Sequence, residues 1–307
     1  MKVLLTGAAG QLGQALIASR PEGIELIATS RSGGNGLVAL DLADAEACHA
    51  AVEQHRPDWV LNAGAYTAVD KAESEPELAM AVNAGAPRAF AEALSSTGGR
   101  LLQVSTDFVF NGQQGSPYRP EQQRDPLGVY GASKAAGEEA VEQVLGADGR
   151  AVILRTSWVY GPLGRNFALT MLRLHLEREQ ICVVADQVGC PTATTGVTGL
   201  ATACWRTITI ASKTPAELPP ILHWSDAGAA SWYDFAVAIG ELGVELGLLQ
   251  RAAAVLPITA SEYPTPATRP SYSLLDCSKT RNMLKLQPPH WRSALAGVLG
   301  QVMVSPE

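Results

Sequence analysis

The chain has 307 residues, 47% of them hydrophobic and 17% charged, with a mean hydropathy of +0.06. That excludes a disordered chain and supplies core for about two domains. Lys plus Arg number 23 and Asp plus Glu 30, a formal net charge of −7, which argues against nucleic acid as a partner, because phosphate backbones are held by a surplus of cations. The cysteines (Cys48, Cys182, Cys190, Cys204 and Cys277) are odd in number and none forms a C-x-x-C pair, so neither a disulfide framework nor a zinc site is expected. The first apolar run, Val3-Leu4-Leu5, is too short for a signal-peptide core. No apolar stretch reaches the roughly 18 residues of a membrane span. A cytoplasmic protein without a membrane partner is the expectation.

In chain order, strands are expected at Lys2–Thr6, Glu25–Ser30, Leu37–Leu40, Trp59–Asn62, Leu101–Ser105 and Val152–Arg155. Most are unbroken apolar runs, as in strands buried on both faces. Helical patterns fall between them, at Gln11–Ser19, Ala45–His55, Glu77–Ser96 and Tyr130–Leu145. This alternation implies a parallel sheet with helices on both faces. Beyond Trp158 the pattern turns irregular and proline-rich, with helices expected at Asn166–Glu177, Ser231–Leu246, Ser278–Leu284 and Trp291–Val302.

The first strand runs into Gly7-Ala8-Ala9-Gly10-Gln11-Leu12-Gly13, a G-x-x-G-x-x-G turn. Gly7 allows the tight turn, Gly10 lets the backbone approach a pyrophosphate, and Gly13 lets the helix pack on the strand, whose N-terminus offers free N–H groups to phosphates. A dinucleotide is therefore expected here, and with it a Rossmann-type, doubly wound parallel sheet. The cofactor domain would span residues 1–160, and the chain would return to it between about 180 and 265. Residues 161–307 would form mainly a smaller α/β substrate lobe. The second strand ends in Ser30-Arg31-Ser32 and not in the carboxylate that usually binds a ribose diol. An arginine beside hydroxyls favours a 2′-phosphate, hence NADPH over NADH. Asp41-Leu42 can meet the adenine, and the small residues Ala63, Gly64 and Ala65 let a cofactor pass the end of the fourth strand.

Tyr130 and Lys134 stand at i and i+4 and share one helix face. A phenol is a poor acid or base near neutrality, and a neighbouring ammonium is expected to lower its pKa so that Tyr130 can exchange a proton with a substrate oxygen. Thr106, at the end of the strand before, can donate to a carbonyl being reduced. The five histidines lie far apart without metal-ligand spacing. Trp224, Trp232 and Trp291 read as packing residues, and Glu73, Glu75 and Glu77 as a solvated edge.

At these residues the chain resembles the extended short-chain dehydrogenase/reductase superfamily, and within it the dTDP-4-dehydrorhamnose reductase family. The resemblance runs from residue 1 to about 300. It is carried by residues 62–73 (NAGAYTAVDKAE), 105–110 (STDFVF), 155–160 (RTSWVY), Asn166-Phe167, 186–189 (DQVG), Pro191-Thr192 and 263–270 (YPTPATRP). It implies reduction of the C4 ketone of a dTDP-4-keto-6-deoxy-L-mannose, with Tyr130 as general acid, Lys134 as its partner and ribose holder, and Thr106 completing the triad. It also implies sugar contacts from Thr106, Asp107, Tyr130 and Trp158, and cofactor contacts from Gly10, Gln11, Leu12, Asp41, Leu42, Ala65, Tyr66 and Thr67. Arg269 is a candidate for the substrate diphosphate, with a structural ion pair as the alternative. Some relatives form magnesium-bridged dimers through glutamates, but the matching positions here are Ala15 and Thr195, poor ligands for a hard cation. No metal is expected, and a monomer and a metal-independent homodimer both stay open.

Three alternatives compete. A 4,6-dehydratase or epimerase on this scaffold is disfavoured, because Phe108 follows Thr106-Asp107 where dehydratases carry a glutamate base. A reductase of a sibling 4-keto sugar is open. A non-catalytic subunit, similar to the regulatory subunit of methionine adenosyltransferase, is disfavoured by the intact Thr106, Tyr130, Lys134 and glycine turn.

Overall fold

A computed structural model describes residues 1–214 and 218–302. The first half alternates β1 (Lys2–Thr6), α1 (Gln11–Ala18), β2 (Glu25–Ser30), β3 (Val38–Ala39), α2 (Ala45–His55), β4 (Trp59–Asn62), α3 (Val69–Ala72), α4 (Pro76–Met80), α5 (Ala86–Thr97), β5 (Arg100–Thr106), α6 (Val129–Leu145) and β6 (Ala151–Thr156). The second half holds β7 (Val159–Tyr160), α7 (Phe167–Glu177), β8 (Gln180–Val184), β9 (Val188–Gly189), β10 (Thr192–Ala193), α8 (Leu200–Lys213), β11 (Ile221–Trp224), β12 (Ala230–Ser231), α9 (Trp232–Glu245), β13 (Ala254–Ile258), α10 (Ser278–Leu284) and α11 (Trp291–Leu299).

Seven parallel strands form one sheet in the order β11-β6-β5-β4-β1-β2-β3. This is the doubly wound α/β architecture that the strand and helix alternation implies. Strand order reverses between β1 and β4, and the crevice beyond the carboxyl ends of the strands at such a point is where open α/β sheets bind ligands. The central strands are buried on both faces, β4 and β6 along their whole length, while β3 at the sheet edge is exposed. One face is covered by α1, α8 and α10, whose Leu12, Leu16, Leu200, Trp205, Ile208 and Leu284 pack on β-strand residues Val3, Leu5, Leu61 and Leu154. The other is covered by α2, α5 and α6, through Val52, Phe90, Leu94, Val141 and Leu145. A second core joins α7, α9, α11 and β8 around Phe235, Ile239, Trp291 and Leu295.

The helix expected over Glu77–Ser96 is interrupted. Between α4 and α5 lies a π-helical turn, Ala81–Gly85. Pro87 has no N–H to give to the carbonyl of Asn83 four residues earlier, and that carbonyl faces α6 instead. There Gly137 makes room for it, since a methyl on Gly137 would sit 2.1 Å from the Asn83 oxygen.

Candidate active site

Every catalytic candidate sits at the carboxyl end of a strand or in the segment that follows it. Gly7 turns the chain after β1 with φ +66°, and a methyl there would lie 2.6 Å from the Gly64 Cα after β4. A methyl on Gly13 would lie 2.2 Å from the Gly7 carbonyl oxygen, so its absence is what lets α1 start against the turn. Gly10 caps α1 with no side-chain partner, which leaves the first-turn N–H groups of Gln11, Leu12 and Gly13 without intrahelical acceptors. A side-chain-free cradle ending in free donors fits a dinucleotide pyrophosphate. The Gln11 side chain leaves this turn: its Nε2 donates to the Val159 carbonyl at 3.1 Å, and its Oε1 accepts from Asn166 Nδ2 at 3.2 Å.

After β2, the Ser30 hydroxyl accepts the Gly33 N–H at 3.1 Å and Arg31 is exposed. Asp41 is exposed and accepts the Ala43 N–H at 3.0 Å, while Leu42 packs against Gly64. Residues 63–67 cross the end of β4. The Tyr66 N–H donates to Asn83 Oδ1 at 2.9 Å, and Asn83 Nδ2 donates to the Tyr66 carbonyl at 3.0 Å and to the Ser133 hydroxyl at 3.0 Å. Ser133 in turn donates to the Tyr130 carbonyl at 2.8 Å. Buried Asn83, in the π-helical turn, thus joins the loop of Ala65, Tyr66 and Thr67 to the helix of Tyr130. The sequence reading missed it, because it lies inside an amphipathic helix pattern that carries no sign of a break except Pro87.

Tyr130 is the second residue of α6, half-buried, with Phe108 edge-on at 5.5 Å between ring centroids. Lys134, buried, donates to the Val104 carbonyl at 2.7 Å. The expected lowering of the phenol pKa by an adjacent ammonium is not what the geometry produces. Burial pushes Tyr130 up to about 12, with its hydrogen bond to Thr106 pulling down and the Asp107 charge pushing further up. Burial brings Lys134 down to about 8, against the upward pull of Glu138. The ammonium is satisfied by the Val104 carbonyl.

Thr106 ends β5 opposite Thr156 of β6. Its hydroxyl donates to Asp107 Oδ1 at 3.0 Å. Asp107 is 1% exposed, and its Oδ2 has no hydrogen-bond partner. Burial raises its pKa to about 6, with Ser273 and Thr106 holding it down. Trp158, two residues past β6, adopts the left-handed φ of +46° that is costly for a bulky residue. Its indole stacks on Trp232 with centroids 3.5 Å apart and planes 2° from parallel, and Gly189 leaves room for its edge. Trp232, read from sequence as packing, therefore backs a candidate sugar residue.

Beneath the site, Glu138 continues the face of Tyr130 and Lys134 at i+8. It is fully buried and binds Arg155 through Nη2 at 2.7 Å and Arg124 through Nε at 2.6 Å. The sequence reading missed this pair, although the i, i+4, i+8 spacing on α6 was its signal. Two further departures concern charges. Arg269 stands in a bidentate ion pair with Asp70 of α3, Nη2 to Oδ2 at 2.7 Å and Nη1 to Oδ1 at 2.9 Å, the structural alternative to the diphosphate role. Glu73 and Glu75 are not a solvated edge. Glu73 accepts the Val129 N–H at 2.9 Å, and Glu75 accepts from the Tyr66 hydroxyl at 2.7 Å and pairs with Lys71 at 2.7 Å. Glu77 is exposed, as expected.

The RmlD substrate binding domain model matches residues 1–304. The chain belongs to this family. It is 38% identical over 294 residues to a dTDP-4-dehydrorhamnose reductase of Sinorhizobium fredii, covering 96% of this chain and 95% of that relative. It is 41% identical to the one from Streptomyces griseus, covering 95% and 91%. A crystal structure of dTDP-4-dehydrorhamnose reductase from Bacillus anthracis in complex with NADP superposes with a TM-score of 0.82 at 34% identity, covering 97% of this chain and 98% of that one. Among the described residues, no group of three or more metal-ligating side chains occurs, and no helix is long and apolar enough to cross a membrane. Ala15 is buried in α1 and Thr195 is partly buried.

Proposed function

We propose that this chain reduces the C4 ketone of dTDP-4-dehydro-L-rhamnose to dTDP-L-rhamnose with NADPH. The observation that carries the reading is the convergence of Thr106, Tyr130 and Lys134 at the carboxyl ends of β5 and β6, beside a glycine turn shaped for a dinucleotide. The substrate follows from the named relatives that match this chain over nearly all its length.

When bound, the nicotinamide supplies the hydride. The chain's own residues do the rest. Gly7, Gly10 and Gly13 admit the pyrophosphate to the start of α1, and Ala63, Ala65, Tyr66 and Thr67 border its path. Ser30 and Arg31 favour the 2′-phosphate of NADPH, and Asp41 and Leu42 meet the adenine. The Thr106 hydroxyl and the Tyr130 phenol donate to the ketone oxygen, where negative charge develops. A phenol near pKa 12 is fully protonated at neutral pH, the form a reduction needs, and Tyr130 gives its proton to the alkoxide. Lys134 holds the nicotinamide ribose. Asp107 and Trp158 contact the sugar, with Trp158 held by Trp232. In this reading, residues 1–160 with β11 and α8 serve the cofactor, and most of 161–307 serves the nucleotide sugar. The enzyme works in the cytoplasm as a monomer or a dimer with no cation bridge.

The test follows oxidation of NADPH, then NADH, with dTDP-4-dehydro-L-rhamnose, and identifies the sugar product. Tyr130→Phe is expected to lose about 10²–10⁴-fold in turnover, the span of a general acid, while still binding NADPH. Absence of oxidation in a chain that binds both nucleotides would overturn the reading, and a different C4 epimer as product would assign a sibling sugar.

A further inference from the structure

Helix α6 begins poorly equipped for the residue it carries. Its N-cap is Gly128, which has no side chain to satisfy the first-turn N–H groups. Tyr130 follows two residues later. The missing cap comes from elsewhere in the chain: Glu73, just past α3, places Oε1 on the Val129 N–H at 2.9 Å from 56 residues away. The same oxygen occupies the space a side chain at Gly128 would need, 2.7 Å from the position of a Cβ. Gly128 has φ −141° and ψ 175°, extended backbone open to any residue. A methyl at Gly128 would therefore push the carboxylate aside without straining the backbone. The carboxylate also puts negative charge at a helix N-terminus, where it is favoured.

The same turn is also held by the Ser133 hydroxyl on the Tyr130 carbonyl at 2.8 Å. Three residues before Glu73, Asp70 fixes α3 itself by gripping Arg269 and the Ala267 N–H. Glu73 thus stands on an anchored helix and sets where α6 starts.

We infer that Glu73 is a positioning residue for the reduction: by capping α6 in place of Gly128 it fixes the phenol of Tyr130 against the ketone oxygen. This rests on the reading of Tyr130 as proton donor. A small displacement of a proton donor lowers the chemical step while leaving the cofactor cradle at α1 untouched.

The experiment measures single-turnover reduction together with KM for NADPH and for the sugar. Glu73→Ala is expected to slow the single turnover about tenfold and leave both KM values within about twofold. Glu73→Gln keeps an acceptor for the Val129 N–H and is expected to restore most of the rate. Gly128→Ala, which displaces the carboxylate, is expected to copy Glu73→Ala. The double variant is expected to be no slower than either single one, because the two act on one contact. A wild-type rate in Glu73→Ala, no rescue by Glu73→Gln, or additive losses in the double variant would overturn the inference. Amide exchange across residues 129–133 reads the cap without turnover. It should accelerate in Glu73→Ala and not in Glu73→Gln, and unchanged exchange in Glu73→Ala would overturn the cap even if the chain reduced no sugar. Failure of the reductase reading shows separately, as no NADPH oxidation by the wild type, whereas undiminished activity in Tyr130→Phe would remove the proton donor on which the inference rests.

Discussion

Burial sets the protonation of Lys134. Its ammonium is buried on the Val104 carbonyl, and burial lowers its pKa from 10.5 to about 8, while the Glu138 charge raises it. Below about 8 the folded enzyme carries the cation, and it loses it as pH rises through that value. In the free enzyme, kcat/KM is therefore expected to fall on an alkaline limb near pH 8. Glu138→Gln removes the upward pull and should move that limb to lower pH, checked by pH–rate profiles of the two proteins. An unmoved limb would show that another group titrates there. The motif Tyr-x-x-x-Lys was visible in the sequence as a spacing, and the glycine turn likewise. The partners of these residues were not. Nothing local to Lys134 says that its nearest acceptor is a carbonyl thirty residues back, or that Glu138 will be clamped by two arginines. Arg269 shows the same limit: a guanidinium in a proline-rich segment reads as a candidate anion binder until Asp70 is found on it.

At the level of elements, α6 packs on the π-helical turn through Gly137, which leaves no room for a side chain. Gly137→Ala improves helix propensity by about 1 kcal/mol. It also places a methyl 2.1 Å from the Asn83 carbonyl, a backbone atom that cannot turn aside. Overpacking of that kind costs about 1–3 kcal/mol, and more where backbone must shift, so a net destabilisation of about 1–2 kcal/mol is expected in denaturant titration. A neutral or stabilised variant would mean that the π-turn yields. The strands and helices of the first half were legible because buried parallel strands are continuous apolar runs and the helices between them are amphipathic. Helix α8 was not seen. Its sequence, LATACWRTITIASK, is rich in β-branched residues that favour strands. It is helical because Leu200, Cys204, Trp205, Ile208 and Ala211 line one face and are buried against the sheet, and within it Thr207 and Thr209 satisfy their hydroxyls on carbonyls four residues earlier. Strand β11 was hidden for a related reason: four residues containing His223 look like no strand until they pair with β6.

Across the whole molecule, His223 couples stability to pH. It is fully buried, its Nδ1 lies 3.1 Å from the Tyr118 carbonyl and its Nε2 3.4 Å from Arg155 Nη1. Burial, with the Arg155 charge adding to it, lowers its pKa from 6.5 to about 3. The unfolded chain takes up this proton below 6.5 and the folded chain does so only near 3, so stability falls as pH falls through that window. Asp107 and Asp226 oppose it. Burial raises both, from 3.8 to about 6 and about 7, so their contribution is present below 3.8 and is lost as pH rises through those values. His223→Gln removes only the first effect. Its Tm should decline less steeply than that of the wild type between pH 6.5 and 3, and equal slopes would place the histidine outside the linkage.

The doubly wound sheet, the glycine cradle and the Tyr130–Lys134 pair are legible along the chain, because each is written in spacings of a few residues that follow from strand and helix periodicity. What those residues touch was set by the packing of distant segments. Glu73 reaches its target across 56 residues and Arg269 across 199. Whether a charge is solvated, paired or set to cap another helix depends on which distant segments the packed core brings beside it, and no local pattern carries that information.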